Sequence, residues 1–291
     1  MSGHTTRIVT RIAMMPLLVL FHGPPAAASD CPGNPNAMGT SRVLVVDPTE
    51  HVRIGTMQYP ETLPLRDHEV VLTFDDGPLP PYTSRVLDTL AHECVKATFF
   101  VIGRMANENP RLVQRAYNEG HTIATHTQDH PLNIRRLGLK TAEEEIDDGI
   151  ASVTAAAGGA SDVAPFFRFP GLSHPLALED YLISRGIMIW SADFLADDWK
   201  HIPPRLVIAR VLTRLEMKAE GILLLHDMQP ATVVALPELL RELKRRGYHV
   251  VHVVAASTDQ PKTATEPEEW APNLMRSRPP YRSRRDGGRV M

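Results

Sequence analysis

Between residues 70 and 254 the chain alternates short apolar runs with longer segments in which apolar residues recur every three to four positions. Runs rich in Val, Ile and Phe predict buried strands, and the three-to-four spacing predicts amphipathic helices. The predicted strands are residues 70–74, 97–102, 122–125, 167–169, 187–192, 221–225 and 248–253. The predicted helices are residues 83–92, 109–119, 141–156, 175–185, 203–217 and 231–246. This alternation indicates an α/β fold with a parallel sheet, either open or closed as a barrel.

The first residues have the order of a secretory signal peptide. Arg7 and Arg11 precede an apolar run at residues 12–21, and small residues follow at 26–29. We expect cleavage after Ala28, so that residues 1–28 are removed and the mature protein is exported to the periplasm or the extracellular space. The apolar run is too short to span a bilayer, and no other stretch reaches that length, so we expect no transmembrane segment.

Two segments flank the alternating pattern. Residues 29–64 contain several Pro and Gly residues and one clear strand, at 41–46, and are expected to form an N-terminal arm. The arm leads into the main domain, which we place at residues 65–257. Residues 258–291 are dominated by Pro, Arg, Ser and Gly, and this composition predicts a disordered basic tail.

The charge balance of the chain bears on its binding partners. With 31 basic and 34 acidic residues, the chain has no charge excess that would favour nucleic acid. We expect a monomer that does not bind nucleic acid.

Export permits a disulfide between Cys31 and Cys94, the two cysteines of the chain. The sequence leaves that bond and two free thiols equally open, because it does not show the geometry that a bridge needs.

Polar side chains follow five of the predicted strands. Asp75 and Asp76 come directly after the first strand, and His126 and His130 are spaced so that both can turn toward one ion. The polar residues that follow the later strands are Arg168, Asp198, Trp199, His226 and Asp227. Each group alone fits ordinary turn or surface chemistry. Because the carboxyl ends of parallel strands meet at one edge of a sheet, their combination favours a common site.

Five short motifs occur in a fixed order and carry a family resemblance. They are TFDDGP (73–78), HTQDH (126–130), RFPG (168–171), DDW (197–199) and LLLHD (223–227). The ordered set resembles the motifs of the polysaccharide deacetylase family, carbohydrate esterase family 4 with its NodB-homology domain, over roughly residues 70 to 254. The resemblance implies a distorted (β/α)7 barrel, a divalent metal ion and hydrolysis of acetyl groups from N-acetylated or O-acetylated sugars. Residues 65–257 would then be the catalytic domain.

The resemblance also implies a role for each motif residue. Asp76, His126 and His130 would be the metal ligands. Asp75 would be the general base, held by Arg168. His226 would be the general acid, tuned by Asp198. The residues that would contact the acetyl group or its oxyanion are Gly171, Trp199 and Leu224. We expect one divalent ion, with Zn²⁺ preferred, although Co²⁺, Ni²⁺ and Mn²⁺ use the same ligand types.

Two features depart from the family pattern. Gly171 stands where the family often has an aromatic residue, so the backbone N–H is kept and the ring is lost. The segment from residue 190 to residue 199 is longer than usual, which leaves the placement of Asp193 and Asp197 open.

These residues predict release of acetate from N-acetylglucosamine-type polysaccharide or oligosaccharide of the cell envelope. Three alternatives remain open. One is an O-acetyl esterase of the xylan type, and another is an exported carbohydrate-binding protein without catalytic activity. The third is a non-haem iron oxygenase, which also uses two His and one carboxylate. The oxygenase leaves Arg168, Asp198 and His226 without a role. A protein that had lost catalysis would not be expected to keep Asp75 and His226.

Overall fold

The structure is a computed structural model, which describes residues 31–173 and 175–272. The predicted signal peptide and residues 273–291 of the predicted tail lie outside this part. Within it, the strands are β1 (Thr40–Val46), β2 (Arg53–Ile54), β3 (Glu69–Asp75), β4 (Thr98–Val101), β5 (Thr122–Thr125), β6 (Phe166–Phe167), β7 (Met188–Trp190), β8 (Phe194–Leu195), β9 (Gly221–His226) and β10 (His249–Ala255). The helices are α1 (Tyr82–His92), α2 (Gly103–Glu108), α3 (Pro110–Asn118), α4 (Leu139–Ala157), α5 (Leu176–Ser184), α6 (Pro204–Lys218) and α7 (Pro230–Arg245).

Each strand and helix expected from the periodicity is present within a few residues. Three short elements, β2, β8 and α2, were not predicted from the sequence. Two-residue strands contain too few positions to show an alternation, and the six residues of α2 span less than two turns.

The strands pair in parallel and confirm the predicted α/β fold. The pairings run in the order β1-β10-β3-β4-β5-β6-β7-β2, and β9 pairs with both β3 and β8. Among the described strands these pairings do not close into a ring, so the barrel is incomplete. Nevertheless, residues from most of the strands meet in one apolar cluster, which includes Val71, Phe100, Ala124, Trp190 and Ile222. The sheet therefore curves around a common interior.

Alternation along the strands separates this interior from the helices. In β3, Val71 belongs to the interior cluster, while Val70 and Leu72 pack in a second cluster with residues of α1 and α7. A third cluster lies between α4, α5 and the strands β6 and β7. Because successive side chains of a strand point to opposite faces, Thr73 and Asp75 lie on the same inner face as Val71.

The N-terminal arm is built into the sheet. Its predicted strand is present as β1, which pairs with β10, and β2 pairs with β7. A disulfide joins Cys31 to Cys94, just after α1. This answers the question that the sequence left open.

The predicted start of the disordered tail, at residue 258, is wrong for residues 258–272. The backbone N–H of Thr263 donates to the carbonyl oxygen of Val45 at 2.9 Å. Trp270 is 4% exposed, and its ring stacks on that of His51 with 3.6 Å between centroids. These contacts join residues that are far apart along the chain, so composition alone did not reveal them.

None of the helices in residues 31–173 and 175–272 is long and apolar enough to cross a membrane.

Candidate active site

The register of the parallel strands brings the predicted site residues to one edge of the sheet. Asp75 pairs with His226 across β3 and β9. Thr125 pairs with Phe167, so the residues that follow them, His126 and Arg168, also lie side by side. A cavity of about 450 Å³ opens at this edge. Its lining residues are Asp75, Asp76, His126, His130, Leu132, Gly171, Leu172, Leu195, Trp199, Leu224 and His226.

Asp76, His126 and His130 form a cluster with the geometry of a metal site. Asp76 Oδ1 lies 3.4 Å from His126 Nε2 and 3.2 Å from His130 Nε2. Ligand atoms about 2.0–2.1 Å from a tetrahedral Zn²⁺ lie roughly 3.3 Å from one another. Asp76 Oδ1 is also buried without a hydrogen-bond partner among the described residues, which is costly unless a cation or a water binds it. The residues therefore fit a divalent metal ion.

Neighbouring groups give the two imidazoles the orientation and charge state that a metal ion would require. His126 Nδ1–H donates to the backbone oxygen of Arg168 at 2.6 Å, which directs Nε2 toward Asp76. Burial and the neighbouring His126 lower the pKa of His130 to about 4, so its imidazole is neutral, the form that ligates metals. Burial raises the pKa of Asp76, but the surrounding histidines lower it more, and the net pKa is well below its usual range.

The loops that carry Asp76 and His130 contain residues in left-handed backbone conformations, and the His130 loop is stabilised by contacts with α2 and α4. The φ angles are 78° for Asp76, 66° for Thr127 and 60° for His130. Such conformations cost on the order of 1–3 kcal/mol for non-glycine residues and persist only when contacts enforce them. The N–H of Gly103, at the start of α2, donates to the oxygen of Thr127 at 2.9 Å. A Cβ on Gly149 of α4 would lie 2.4 Å from the Thr127 carbonyl carbon, so glycine permits the close approach. The short α2 therefore supports the histidine loop.

Asp75 lies beside the cluster in a buried ion pair. Arg168 Nη1 donates to Asp75 Oδ1 at 2.6 Å, and the guanidinium is fully buried. Nη1 also donates to Thr73 Oγ1, and Nη2 donates to the backbone oxygen of Ser191, both at 2.9 Å. The guanidinium also lies 4.0 Å from the centroid of the Phe100 ring. These contacts fix both the orientation of Arg168 and the carboxylate that it holds.

His226 forms a second charged pair on the other side of the cavity. His226 Nδ1–H donates to Asp198 Oδ1 at 2.8 Å, and the His226 backbone N–H donates to Asp198 Oδ2 at 2.7 Å. Thr232 adds a hydroxyl donor to the same carboxylate. Burial lowers the pKa of His226, but the bond to Asp198 raises it more, to about 9. His226 Nε2 lies 3.8 Å from Asp76 Oδ2 and is therefore directed at the metal cluster.

Apolar residues complete the cavity. Leu224 and His226 are two apart in β9, so they share its inner face. The ring of Trp199 packs edge-on against the imidazole of His226, with 5.5 Å between the ring centroids. Gly171 has a φ of 58°, and a Cβ added there would lie 3.3 Å from Leu132 Cδ2. Three further lining residues, Leu132, Leu172 and Leu195, could not be predicted from the sequence, because nothing in their spacing separates them from core leucines.

Asp193 and Asp197, whose placement the sequence left open, lie outside the cavity lining. Asp193 accepts hydrogen bonds from the N–H of Ile222, at 2.7 Å, and from the N–H of Thr56, at 2.8 Å. It therefore joins the arm to the start of β9. Asp197 pairs with Arg214 at 2.7 Å and with a second arginine of α6, which anchors the loop that carries Asp198.

The structure thus brings the predicted site residues together. Eight of them line the cavity, and the remaining two, Arg168 and Asp198, lie behind it in contact with Asp75 and His226. Their individual roles stay predictions.

Comparisons with known proteins agree with this architecture. A family model described as polysaccharide deacetylase matches residues 63–189. The chain is 36% identical over 186 residues to the peptidoglycan-N-acetylglucosamine deacetylase PgdA of Listeria monocytogenes, covering 63% of this chain and 38% of that protein. It is 32% identical over 197 residues to a chitooligosaccharide deacetylase of Sinorhizobium fredii, covering 62% of this chain and 87% of that protein. The solved structure of a Bdellovibrio bacteriovorus peptidoglycan deacetylase matches with a TM-score of 0.67 at 31% identity, covering 75% of this chain and 60% of that chain.

The chain belongs to the polysaccharide deacetylase family, which confirms the resemblance seen in its five motifs. The matched region spans 38% of the length of the Listeria relative. It spans most of the Sinorhizobium relative.

Proposed function

We propose that the protein is a metal-dependent deacetylase that removes acetyl groups from N-acetylglucosamine-type polysaccharide or oligosaccharide and releases acetate. One observation supports this most strongly. The Asp76, His126 and His130 cluster lies between a carboxylate held by a buried arginine and a histidine held by a buried carboxylate. A hydrolase needs a base and an acid on opposite sides of the reacting carbon, and this cavity offers both.

Asp76, His126 and His130 would hold one divalent ion, for which we propose Zn²⁺. When bound, such an ion polarises a carbonyl oxygen and lowers the pKa of a coordinated water to about 7. The ligand set of two imidazoles and one carboxylate leaves coordination positions free for water and substrate.

Asp75 is the proposed general base. Its Oδ1 is occupied by Arg168, while Oδ2 lies 3.9 Å from His126 Nε2, on the side of the metal cluster. Oδ2 is therefore the oxygen that would accept the proton of the attacking water. The role of Arg168 is to hold the carboxylate in this orientation.

His226 is the proposed general acid. The amine of an N-acetyl group leaves only when its nitrogen is protonated, as the bond between the carbonyl carbon and nitrogen breaks. The Asp198 contact raises the pKa of His226 to about 9, which favours the imidazolium form, with Nε2–H available to the cavity. The His226–Asp198 pair favours an N-acetyl over an O-acetyl substrate, because the departure of an alcohol depends less on protonation than the departure of an amine.

The remaining cavity residues would bind the acetyl group. Trp199 and Leu224 form an apolar wall next to His226, which suits a methyl group. The backbone N–H of Gly171 is the proposed donor to the oxyanion that develops on the carbonyl oxygen. Gly171 has no ring over the cavity, so Leu132 is the side chain nearest to this position.

The substrate class and its location rest on similarity and on the N-terminal sequence. The Listeria and Bdellovibrio relatives are named as peptidoglycan deacetylases and the Sinorhizobium relative as a chitooligosaccharide deacetylase. Together with the signal-like residues 1–28, these names support an exported enzyme that acts on envelope polysaccharide.

Acetate release from N-acetylglucosamine oligomers, peptidoglycan and acetylated xylan tests this proposal. We expect the purified protein to release acetate from at least one of the two N-acetylated substrates faster than from xylan. Faster release from xylan would favour the O-acetyl esterase. No release from any of the three by metal-loaded protein would contradict the proposed activity.

A further inference from the structure

Asp227 is a buried carboxylate that the proposed reaction does not use. It follows His226 at the end of β9 and is 1% exposed. Its Oδ1 accepts the backbone N–H of Gly77 at 3.0 Å, and its Oδ2 accepts the hydroxyl of Thr83 at 2.5 Å. Thr83 Oγ1 in turn accepts the N–H of Leu79 at 2.8 Å. The side chain therefore joins β9 to the loop after β3 and to the first turn of α1.

The contact with Gly77 is close enough to require glycine. A Cβ at this position would lie 2.0 Å from Asp227 Oδ2 and 2.4 Å from Asp227 Oδ1. Real Cβ atoms do not approach oxygen so closely, so the loop packs its bare backbone against the carboxylate. Hydrogen bonds from a backbone N–H to a carboxylate are stronger than neutral ones, which suits a restraining contact.

The residue before Gly77 is the one that needs restraint. Asp76 has a φ of 78°, in the left-handed region, and its own N–H donates to the oxygen of Phe100 at 3.3 Å, a long hydrogen bond. A small relaxation of the loop would rotate the Asp76 carboxylate away from the two imidazoles, 3.2–3.4 Å from Asp76 Oδ1. The Gly77 bond lies one residue away and opposes that relaxation.

We propose that Asp227 is a positioning residue that holds Asp76 in its metal-binding orientation by fixing the backbone of Gly77. This inference rests on the proposed function only in taking Asp76 as a metal ligand. Outer contacts of this kind change metal affinity about 10–100-fold when they are removed. No separate role for Asp227 follows from the sequence alone, since an aspartate after a strand also fits ordinary turn chemistry.

Zn²⁺ titration of the metal-stripped protein in chelator-buffered solution tests the proposal. We expect Asp227→Ala to weaken Zn²⁺ binding about 10–100-fold, because Gly77 N–H loses its acceptor. Asp227→Asn keeps an acceptor oxygen of the same shape and should retain most of the affinity. Circular dichroism at the titration temperature shows whether each variant is folded.

Asp193→Ala is the matched control. Asp193 is also buried and also accepts a backbone N–H and threonine hydroxyls, but it binds the start of β9 rather than its end. This variant should lower thermal stability and leave Zn²⁺ affinity unchanged. Thr83→Val removes only the Oδ2 partner of Asp227 and provides a milder test if Asp227→Ala does not fold. It should weaken Zn²⁺ binding less than Asp227→Ala but measurably.

The outcomes separate this inference from the proposed function. Wild-type affinity in Asp227→Ala, or in Thr83→Val when Asp227→Ala is unfolded, would overturn the positioning role and leave the metal site intact. Equal losses in Asp227→Asn and Asp227→Ala would show an effect of charge instead of backbone restraint. An equal loss in Asp193→Ala would show general destabilisation. Absence of Zn²⁺ binding by the wild-type protein would contradict the metal site itself, and with it both proposals.

Discussion

Replacing Asp198 with asparagine tests how His226 acts as an acid. Asp198 raises the pKa of His226 to about 9 against the effect of burial. Without that carboxylate, burial is the largest remaining influence, opposed by the charges of Asp76 and Asp75, and the pKa should fall toward the ordinary value of about 6.5. At pH 8 the imidazolium fraction would then drop from about nine tenths to as little as about 3%, a loss of up to about 30-fold in active enzyme. Asparagine keeps the shape of the side chain, so the change is chiefly electrostatic.

The assay is the pH profile of kcat/KM for acetate release. Because the active form is protonated, activity is lost as pH rises through the pKa of His226. The alkaline limb of Asp198→Asn should therefore move down by up to about 2.5 pH units, and the variant should regain part of its activity near pH 6. Asp193→Asn is the matched control, since Asp193 is also buried but binds the start of β9 outside the cavity lining, and it should leave the alkaline limb in place. An alkaline limb that stays in place in Asp198→Asn would refute the reasoning.

Three further predictions concern the base, the ligands and the stability of the fold. Asp75→Asn should lower kcat on the order of 10²–10⁴-fold with metal retained, whereas His126→Ala should lose the metal; kinetics with metal analysis separate them, and a wild-type rate in the first or full metal content in the second would contradict the assignments. Burial, with Lys96 nearby, lowers the pKa of His121 to about 3 and that of His252 to about 4. Their contribution to stability is therefore complete above about pH 6.5 and lost as pH falls toward 4, by about 1.4 kcal/mol per pH unit for each histidine. Urea unfolding at pH 7 and pH 5 measures this, and equal stabilities would exclude it. Reducing the disulfide, whose cysteines are 63 positions apart, should lower the free energy of unfolding by up to about 4 kcal/mol, and unchanged urea midpoints with reductant would argue against this.

The edge of the sheet where the predicted site residues meet could be predicted, because those residues lie at the ends of regular strands. Alternation in β3 and β9 places Asp75, Leu224 and His226 on the inner face, and the parallel arrangement brings the strand ends together. His126 could be predicted for the same reason, since it continues the inner face of β5 beyond Ala124. The position of these residues on the inner face therefore follows from local periodicity alone. His130 was predicted from its spacing to His126.

Other parts of the site depend on contacts between distant segments. The loop after β7 contains Asp193, Asp197 and Asp198, which look equivalent in the sequence. Of these three, only Asp198 contacts His226 in the structure. Asp193 precedes β8 and binds the start of β9, while Asp197 pairs with arginines of α6. Trp270 is buried by an arm residue more than 200 positions earlier, a contact that tail composition could not predict.

The most direct test of the central claim is acetate release from N-acetylglucosamine oligomers, measured before chelation, after removal of metal and after return of Zn²⁺. We predict steady release, loss of release on chelation and recovery when Zn²⁺ is restored, with release by metal-loaded Asp75→Asn slower on the order of 10²–10⁴-fold. Release that persists without metal, or that is equal in Asp75→Asn, would contradict the account.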